Sequence, residues 1–196
     1  GDKINAWCFA RTDTVNKNLL GKMKRAGINW VFMGFESGND KVLDSVHKRQ
    51  TVEQIKKARQ LVYDCKIHTG GNYVFGLPND TPETMRQTLE LAKDLNTEYA
   101  NFFLLMPYPG TKFHEVAKEK GYPLPERWGQ YGFFAPDAVP MRNEILSPRD
   151  ILAFRDAAFR EYFNSPRYQE MVLGKFGAPV LDFLKTKVLS KELKRV

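Results

Sequence analysis

The sequence of 196 residues is poor in cysteine and has no long apolar run. Its two cysteines, Cys8 and Cys65, lie far apart, which excludes a disulfide framework of the kind that staples small secreted domains. No apolar stretch approaches the roughly 20 residues that a membrane-spanning helix needs, and no charged start followed by an apolar segment indicates a signal peptide. These absences predict a cytoplasmic protein without a transmembrane segment.

Metal-ligating side chains are scarce as well. The three histidines, His47, His68 and His114, share no spacing typical of a metal site. Cys8 falls in an apolar strand-like run and Cys65 on the apolar side of a helical pattern, so both are predicted to be small core residues. The sequence therefore predicts no metal site.

The formal net charge of +7 is concentrated at the C-terminal end. Residues 185–196 contain five basic residues and one acidic residue, which gives +4 of the total. The basic residues are Lys185, Lys187, Lys191, Lys194 and Arg195. Such a segment suits either contact with nucleic acid or another anionic surface, or a solvated helix face, and both interpretations stay open.

Strand-like and helix-like segments alternate through the first half of the chain. Helical patterns begin after residue 15, after Thr51 and after Thr81, and the two threonines are typical N-caps. Strands joined by helices run parallel with right-handed crossovers, and a closed barrel needs about eight such units. The predicted fold is therefore α/β, with parallel βα units that form part of a partial TIM-like barrel and a C-terminal helical extension. The predicted strands are residues 4–11, 30–35, 72–75 and 99–105.

Three regions are predicted along the chain. Residues 1–120 carry the four βα units, and residues 121–147, rich in proline and aromatic residues, form an irregular connector. Residues 148–196 form a helical tail that begins at Ser147-Pro148. Tyr108 and the aromatic residues of 128–134 are predicted to be core.

Polar side chains stand where the predicted strands end. They are Arg11, Glu36, residues 72–78 beginning with Asn72, and residues 106–108. Parallel α/β folds bind ligands at the carboxyl ends of their strands. One cation, one carboxylate and one amide at that rim suit a zwitterionic ligand that carries a ribose.

Motifs at these strand ends resemble those of the radical SAM superfamily. GFESG at residues 34–38 is followed by Val-Leu at 42–43, Lys48 and Thr51, as after the fourth strand of that family's barrel. FGLP at residues 75–78 and PYPGT at 107–111 resemble the ends of its fifth and sixth strands. The loop after the fifth strand usually carries glycine and glutamate, whereas this chain has Asn79 and Asp80. The nearest resemblance is to cobalamin-associated and coproporphyrinogen-dehydrogenase-like members.

The resemblance implies an activity for the parent protein and a limit for this chain. A radical SAM enzyme binds S-adenosylmethionine and a 4Fe–4S cluster, and generates a 5′-deoxyadenosyl radical that abstracts hydrogen from a substrate. The cysteine loop that holds the cluster is missing from this sequence, and two distant cysteines cannot replace it. We therefore expect the C-terminal part of such a barrel, inactive alone, from a parent that is an enzyme and that carries the cluster and possibly cobalamin.

The resemblance also implies roles for single residues, while no catalytic residue is implied. Glu36 would face the methionine amino group or the ribose, Lys48 the methionine carboxylate, Asn72 the ribose hydroxyls, and Arg11 the ligand or substrate. Backbone at residues 74–76 and 106–108 would line the adenine. The residues of those two segments taken as cofactor-binding are Val74, Gly76, Met106 and Tyr108.

Structural alternatives stay open for each of these residues. Glu36 pairs with Arg11 in one alternative, since a buried carboxylate is often half of an ion pair. Lys48 is a surface residue before a helix in another, Asn72 serves turn chemistry after two glycines, and Gly76 serves only backbone geometry.

Two other functions are carried beside the radical enzyme. One is a catalytically inert α/β module that binds a nucleotide-like ligand or a partner chain. The other is a tRNA-modifying radical SAM protein, which the basic C-terminal segment suggests. A small-molecule or lipid substrate is favoured over nucleic acid, and the exposed edge of the first strand predicts self-association.

Overall fold

The computed structural model describes residues 4–191 and residue 195. Four parallel strands form one sheet in the order β1-β2-β3-β4. The strands are β1 Ala6–Ala10, β2 Ile28–Glu36, β3 His68–Phe75 and β4 Tyr99–Leu104. This sheet confirms the predicted parallel α/β fold. Strands β2 and β3 begin earlier than predicted, at Ile28 and His68 rather than at residues 30 and 72. The added residues include polar residues and glycines, so an apolar pattern alone does not indicate a strand there.

Helices connect the strands and then form the C-terminal region. They are α1 Lys17–Arg25, α2 Asp40–Ser45, α3 Val52–Asp64, α4 Pro82–Leu95, α5 Lys112–Glu119, α6 Pro148–Asn164, α7 Pro166–Phe176 and α8 Ala178–Phe183, followed by a π-helical turn Leu184–Leu189. Thr51, Thr81 and Ser147 form capping boxes at the starts of α3, α4 and α6, which confirms the three predicted helix starts. Helix α5 follows β4, and Thr111 caps it by accepting from the backbone N–H of His114.

One face of the sheet, which we call the outer face, is covered by helices and shares one buried cluster with them. Side chains of β2 and β3 on this face, such as Met33, Phe35 and Tyr73, are fully buried. Residues of the C-terminal helices, including Tyr162 and Tyr168, belong to the same cluster. The helical extension therefore packs on the sheet, although the three-region division of the chain stays a prediction.

Polar contacts attach the C-terminal helices to β4 and the residue before it. Arg155 of α6 is buried and donates to the backbone oxygen of Phe102 at 3.0 Å. The carboxylate of Glu98 is 1% exposed, accepts from the backbone N–H of Thr69, and is ion-paired with Lys175 of α7. These contacts fix α6 against β4 and α7 near the amino ends of β3 and β4.

The inner face of the sheet is aromatic near the amino ends of the strands. Trp7 and Phe9 of β1 are 60% and 69% exposed, and their rings meet the ring of Phe32 edge-on. A cavity of about 400 Å³ lies against this face. Its lining residues are Trp7, Phe9, Trp30, Phe32, Asn72, Tyr99, Asn101 and Phe103.

Some predicted core residues are not core. Tyr108, Trp128 and Phe134 are 47%, 77% and 56% exposed, because their connector runs over the surface beside the strand ends rather than under the helices. Cys8 and Cys65 are half-buried and reduced, and both pack against the core. Among the residues that the structure describes, no helix is both long and apolar enough to cross a membrane.

Two predictions concern the ends of the described chain. Of the basic C-terminal residues, Lys185 and Lys187 lie in the π-helical turn, whereas Lys194 lies outside the described residues. Strand β1 is at one edge of the described sheet, and self-association through it stays a prediction.

Candidate functional site

The end of β2 places a carboxylate and an ammonium group together. A β-bulge between Gly34 and Glu36 shifts the register against β3 and turns the carboxylate back over Gly34. A Cβ atom on Gly34 would lie 2.4 Å from Glu36 Oε1 and 3.1 Å from Lys48 Nζ. Lys48 Nζ donates to Glu36 Oε1 at 2.5 Å, and the two side chains are 27% and 19% exposed. Glycine at position 34 therefore leaves the space that this pair occupies, and a larger residue would require the two side chains to shift.

The backbone around this pair is strained. Glu36 has φ 64°, and His47 and Arg49, on either side of Lys48, both have φ 53°. Left-handed backbone costs a residue with a side chain about 1–2 kcal/mol. Such strain persists where surrounding contacts hold it, and it is frequent at functional sites.

Buried polar contacts hold the strained segment in place. Gln50 is 6% exposed and donates through Nε2 to the backbone oxygens of Gly34 and Phe35, both at 3.1 Å. Thr12, just beyond β1, donates to Gln50 Oε1 at 2.6 Å. Gln50 thus joins the carboxyl ends of β1 and β2 and fixes the loop that carries Lys48.

Two asparagine side chains lie beside this pair on the next two strands of the sheet. Asn72 of β3 is the register partner of Gly34, and Asn101 of β4 is the register partner of Asn72. Asn101 Nδ2 donates to Asn72 Oδ1 at 2.8 Å. One cavity of about 340 Å³, which we call the polar cavity, is lined by Arg11, Gly34, Lys48 and Asn72. It adjoins the 400 Å³ cavity on the inner face, which we call the aromatic cavity, and the two share Phe9, Phe32 and Asn72.

The loop after β3 is organised by a buried carboxylate. Asp80 is 1% exposed, and its Oδ2 accepts from the backbone N–H groups of Gly76 at 3.0 Å and Leu77 at 2.9 Å. Its Oδ1 accepts from the hydroxyl of Thr84 at 2.8 Å. Burial raises the pKa of Asp80 to about 6, and these three hydrogen bonds oppose the rise. Gly76 has φ 83°, and a Cβ there would lie 2.8 Å from the side chain of Ile151.

The loop after β4 exposes one predicted residue and buries another. Met106 is 4% exposed with its side chain in the core, so only its backbone is available at the rim. Tyr108 is 47% exposed and its ring stacks on Tyr131, with the ring centroids 5.5 Å apart. The hydroxyl of Thr111 donates to the backbone oxygen of Tyr108 at 2.7 Å, which closes the turn.

The structure brings some predicted site residues together and separates others. Lys48 and Asn72 share the polar cavity, and Glu36 contacts Lys48. Arg11 lines the same cavity, but its guanidinium binds Asp13 at 2.8 Å, so the alternative Glu36–Arg11 pair is wrong. The predicted residues that do not line this cavity are Glu36, which adjoins it through Lys48, and Val74, Gly76, Met106 and Tyr108 along the neighbouring strand ends.

Sequence reasoning missed several residues that organise the site. Gln50 lies just before the Thr51 cap and carries no motif of its own. Asn101 could have been found from its place two residues into β4, next to Asn72 across the sheet. The resemblance marks Asp80 only as a departure from the family loop, whereas its position four residues after Gly76 allows a carboxylate to cap the turn.

The described residues do not fit an iron–sulfur cluster. The whole sequence contains two cysteines, and Cys8 and Cys65 lie on different elements. Among residues 4–191 and 195, no group of three or more histidine, cysteine or acidic side chains could hold a metal ion. The polar cavity, in contrast, offers the Lys48 ammonium for a carboxylate and the Asn72 amide for hydroxyls, with Glu36 beside it on Lys48 and Asn101 beside it on Asn72.

Comparison of the sequence with known proteins gives relatives of much greater length. Residues 6–92 match the Radical SAM superfamily. The chain is 30% identical over 167 residues to an uncharacterized methyltransferase of Pyrococcus horikoshii, covering 85% of this chain and 36% of that protein. It is 36% identical over 135 residues to the anaerobic magnesium-protoporphyrin IX monomethyl ester cyclase of Rubrivivax gelatinosus, covering 67% and 24%. The chain thus spans about a third or less of these relatives.

The fold has a solved counterpart. The structure of coproporphyrinogen III oxidase (HemN) from Escherichia coli, a radical SAM enzyme, superimposes with a TM-score of 0.57 at 19% identity. The superposition covers 79% of this chain and 31% of that one. At this identity the likeness concerns the fold, and it agrees with the parallel sheet and its helical extension. Sequence match, sheet and strand-end motifs together identify the chain as a member of the radical SAM superfamily that carries part of the family's barrel.

Proposed function

We propose that this chain provides a wall of the S-adenosylmethionine site of a radical SAM enzyme that abstracts hydrogen from its substrate. The observation that carries the proposal is the Glu36–Lys48 pair, held over Gly34 by strained backbone beside Asn72. S-adenosylmethionine, when bound and reduced at a cluster held elsewhere, supplies the hydrogen-abstracting chemistry. The cluster ligands are not among this chain's residues, so we assign the chain binding and orientation only.

Each side chain of the pair suits one end of the methionine moiety. Glu36 would accept from the ammonium group, and Lys48 would neutralise the carboxylate. Without ligand the two side chains neutralise each other, so exchange of this contact for two ligand contacts leaves neither charge unpaired. Asn72 and Asn101 would receive the ribose hydroxyls, since each amide retains donor or acceptor capacity beyond their mutual hydrogen bond. Arg11 stays a proposed contact to ligand or substrate.

The backbone of the next two strand ends would receive the adenine. Asp80 fixes the direction of the Gly76 and Leu77 N–H groups, and the turn at Met106–Tyr108 lies beside it because β4 pairs with β3. Backbone donors and acceptors in a fixed loop suit the edge of a purine base, which combines both kinds of group. In this proposal Val74 and Gly76 line one side of the base, and Met106 and Tyr108 line the other.

The aromatic inner face favours a large apolar or conjugated small molecule as the substrate. Trp7, Phe9 and Phe32 present ring faces and edges to a cavity that adjoins the polar one. Flat conjugated molecules stack on such rings, whereas nucleic acid requires cations along its phosphates. The name of the Rubrivivax gelatinosus relative refers to magnesium-protoporphyrin IX monomethyl ester, a conjugated macrocycle of this type. A cobalamin in the parent remains part of the proposal.

Ligand binding tests the proposal without requiring the cluster. Isothermal titration calorimetry of S-adenosylmethionine with the wild-type protein, Glu36→Gln and Lys48→Met should show binding that weakens by about tenfold or more in each variant. Lys66→Met, a lysine on the turn after α3, is the matched control and should bind like the wild type. Unchanged affinity in both site variants would refute the assignment.

The activity needs a parent protein that holds its cluster. We expect 5′-deoxyadenosine release under reductant and without oxygen, and a loss of that release in Glu36→Gln and Lys48→Met. Binding of S-adenosylmethionine without release, in a parent that does contain its cluster, would favour the inert binding module instead.

A further inference from the structure

A buried asparagine in the connector holds the loops at two strand ends. Asn143 is 5% exposed, and its Nδ2 donates to the backbone oxygens of Leu77 at 3.0 Å and Asp80 at 2.9 Å. Its Oδ1 accepts from the backbone N–H groups of Ile145 at 2.9 Å and Leu146 at 2.8 Å. Two donors and two acceptor sites are all that an amide side chain has, so Asn143 is fully used.

The same segment also holds the end of β4. The backbone N–H of Met141 donates to the oxygen of Leu105 at 2.8 Å, and the N–H of Leu105 donates to the oxygen of Phe75 at 3.0 Å. A single chain of hydrogen bonds therefore runs from the connector through β4 to β3. Residues 141–146, which we call the strap, thus fix the loops after both strands from below.

We infer that Asn143 is a positioning residue for the adenine-facing loops, an inference that rests on the proposed S-adenosylmethionine site. Asp80 holds the Gly76 and Leu77 N–H groups from one side of the loop, and Asn143 holds the Leu77 and Asp80 oxygens from the other. Removal of the amide leaves the buried Asp80 oxygen without this donor, and leaves the Leu77 oxygen with the Asp80 N–H, at 2.9 Å, as its remaining donor. The loop then moves to hydrate them, and the backbone groups that face the adenine move with it.

The hydrogen bonds of the strap go to the ends of β3 and β4, not to the groups proposed for the methionine moiety. Lys48 and Glu36 lie at the end of β2, and Gln50 and Thr12 hold them through contacts that do not include the strap. Asn143 therefore acts on one half of the ligand site. Its loss should weaken binding of the adenosine part and leave the methionine part unaffected, which a general loss of stability would not do.

The test compares three ligands on the same protein. Dissociation constants of S-adenosylmethionine, 5′-deoxyadenosine and L-methionine are measured by calorimetry for the wild type, Asn143→Ser and Asn143→Asp. Serine keeps an acceptor for the Ile145 and Leu146 N–H groups but cannot reach the loop, and aspartate keeps the size but loses both donors. The control is Glu144→Gln, an exposed strap residue that contacts Lys120 and Tyr122 instead.

We expect S-adenosylmethionine and 5′-deoxyadenosine to bind about tenfold more weakly in both Asn143 variants, with L-methionine unchanged and Glu144→Gln like the wild type. Equal weakening of 5′-deoxyadenosine and L-methionine, or no change in variants whose circular dichroism matches the wild type, would overturn the role of Asn143 alone. Because both Asn143→Ser and Asn143→Asp are measured, the second variant decides the question if the first does not fold. Absence of binding of all three ligands to the wild type would overturn the proposed site, and this inference with it.

Discussion

Replacement of Asp80 by asparagine should change how stability depends on pH. The carboxyl is 1% exposed, and burial raises its pKa from 3.8 to about 6. A carboxyl with a raised pKa in the folded state stabilises the fold when protonated, and that contribution is lost as pH rises through the folded pKa. The loss therefore occurs between about pH 4 and pH 6, and the free energy of unfolding is lower above this window.

The size of the effect follows from the shift. A rise of about two pKa units corresponds to about 3 kcal/mol at roughly 1.4 kcal/mol per unit. The asparagine side chain of the variant would remain neutral, its oxygen would still accept from the Gly76 and Leu77 N–H groups, and its amide would face Thr84. We therefore expect Asp80→Asn to match the wild type near pH 4 and to exceed its stability by up to about 3 kcal/mol at pH 7.

Urea unfolding at pH 4, 5, 6 and 7, followed by circular dichroism, measures this difference. Asp150→Asn is a control of opposite sign, because hydrogen bonds from Ser147 lower the pKa of Asp150. That variant should be less stable than the wild type by a nearly constant amount from pH 7 to pH 5, and its deficit should begin to shrink only near pH 4, where the unfolded-state carboxyl starts to titrate. A constant difference between Asp80→Asn and the wild type across the four pH values would refute the reasoning.

Two further substitutions test strain and burial elsewhere in the fold. In urea unfolding, Glu36→Gly should be more stable than Glu36→Ala by about 1 kcal/mol, because glycine accepts φ 64° without cost. Both variants should lose affinity for S-adenosylmethionine. Equal stabilities would show that position 36 is not strained. Lys175→Met should cost about 2 kcal/mol, because it removes the ammonium partner of the buried Glu98 carboxylate and leaves it the more distant Arg59 guanidinium at 3.7 Å. The double variant Lys175→Met with Glu98→Gln should recover part of that loss in thermal unfolding, and no recovery would contradict a role for the pair.

The sequence was sufficient for most of the fold because its signals are local. Capping boxes at Thr51, Thr81 and Ser147 set helix starts through contacts within four residues, and apolar runs marked four strands. Parallel order followed from the alternation of strands and helices, since a crossover helix permits little else. The ends of those strands then indicated where a ligand site would be.

The tertiary structure decided which polar residues meet. The sequence placed Glu36 at a strand end, but only the bulge and the left-handed backbone turn its carboxylate toward Lys48 rather than Arg11. Asn143 is 63 residues from Asp80 in sequence, and no periodic or motif signal connects them. Local sequence patterns reflect the conformational preferences of the backbone and the burial of one face of a helix or strand, so they predict the elements themselves. Long-range hydrogen bonds depend on how the elements pack, so they are settled only in the assembled fold.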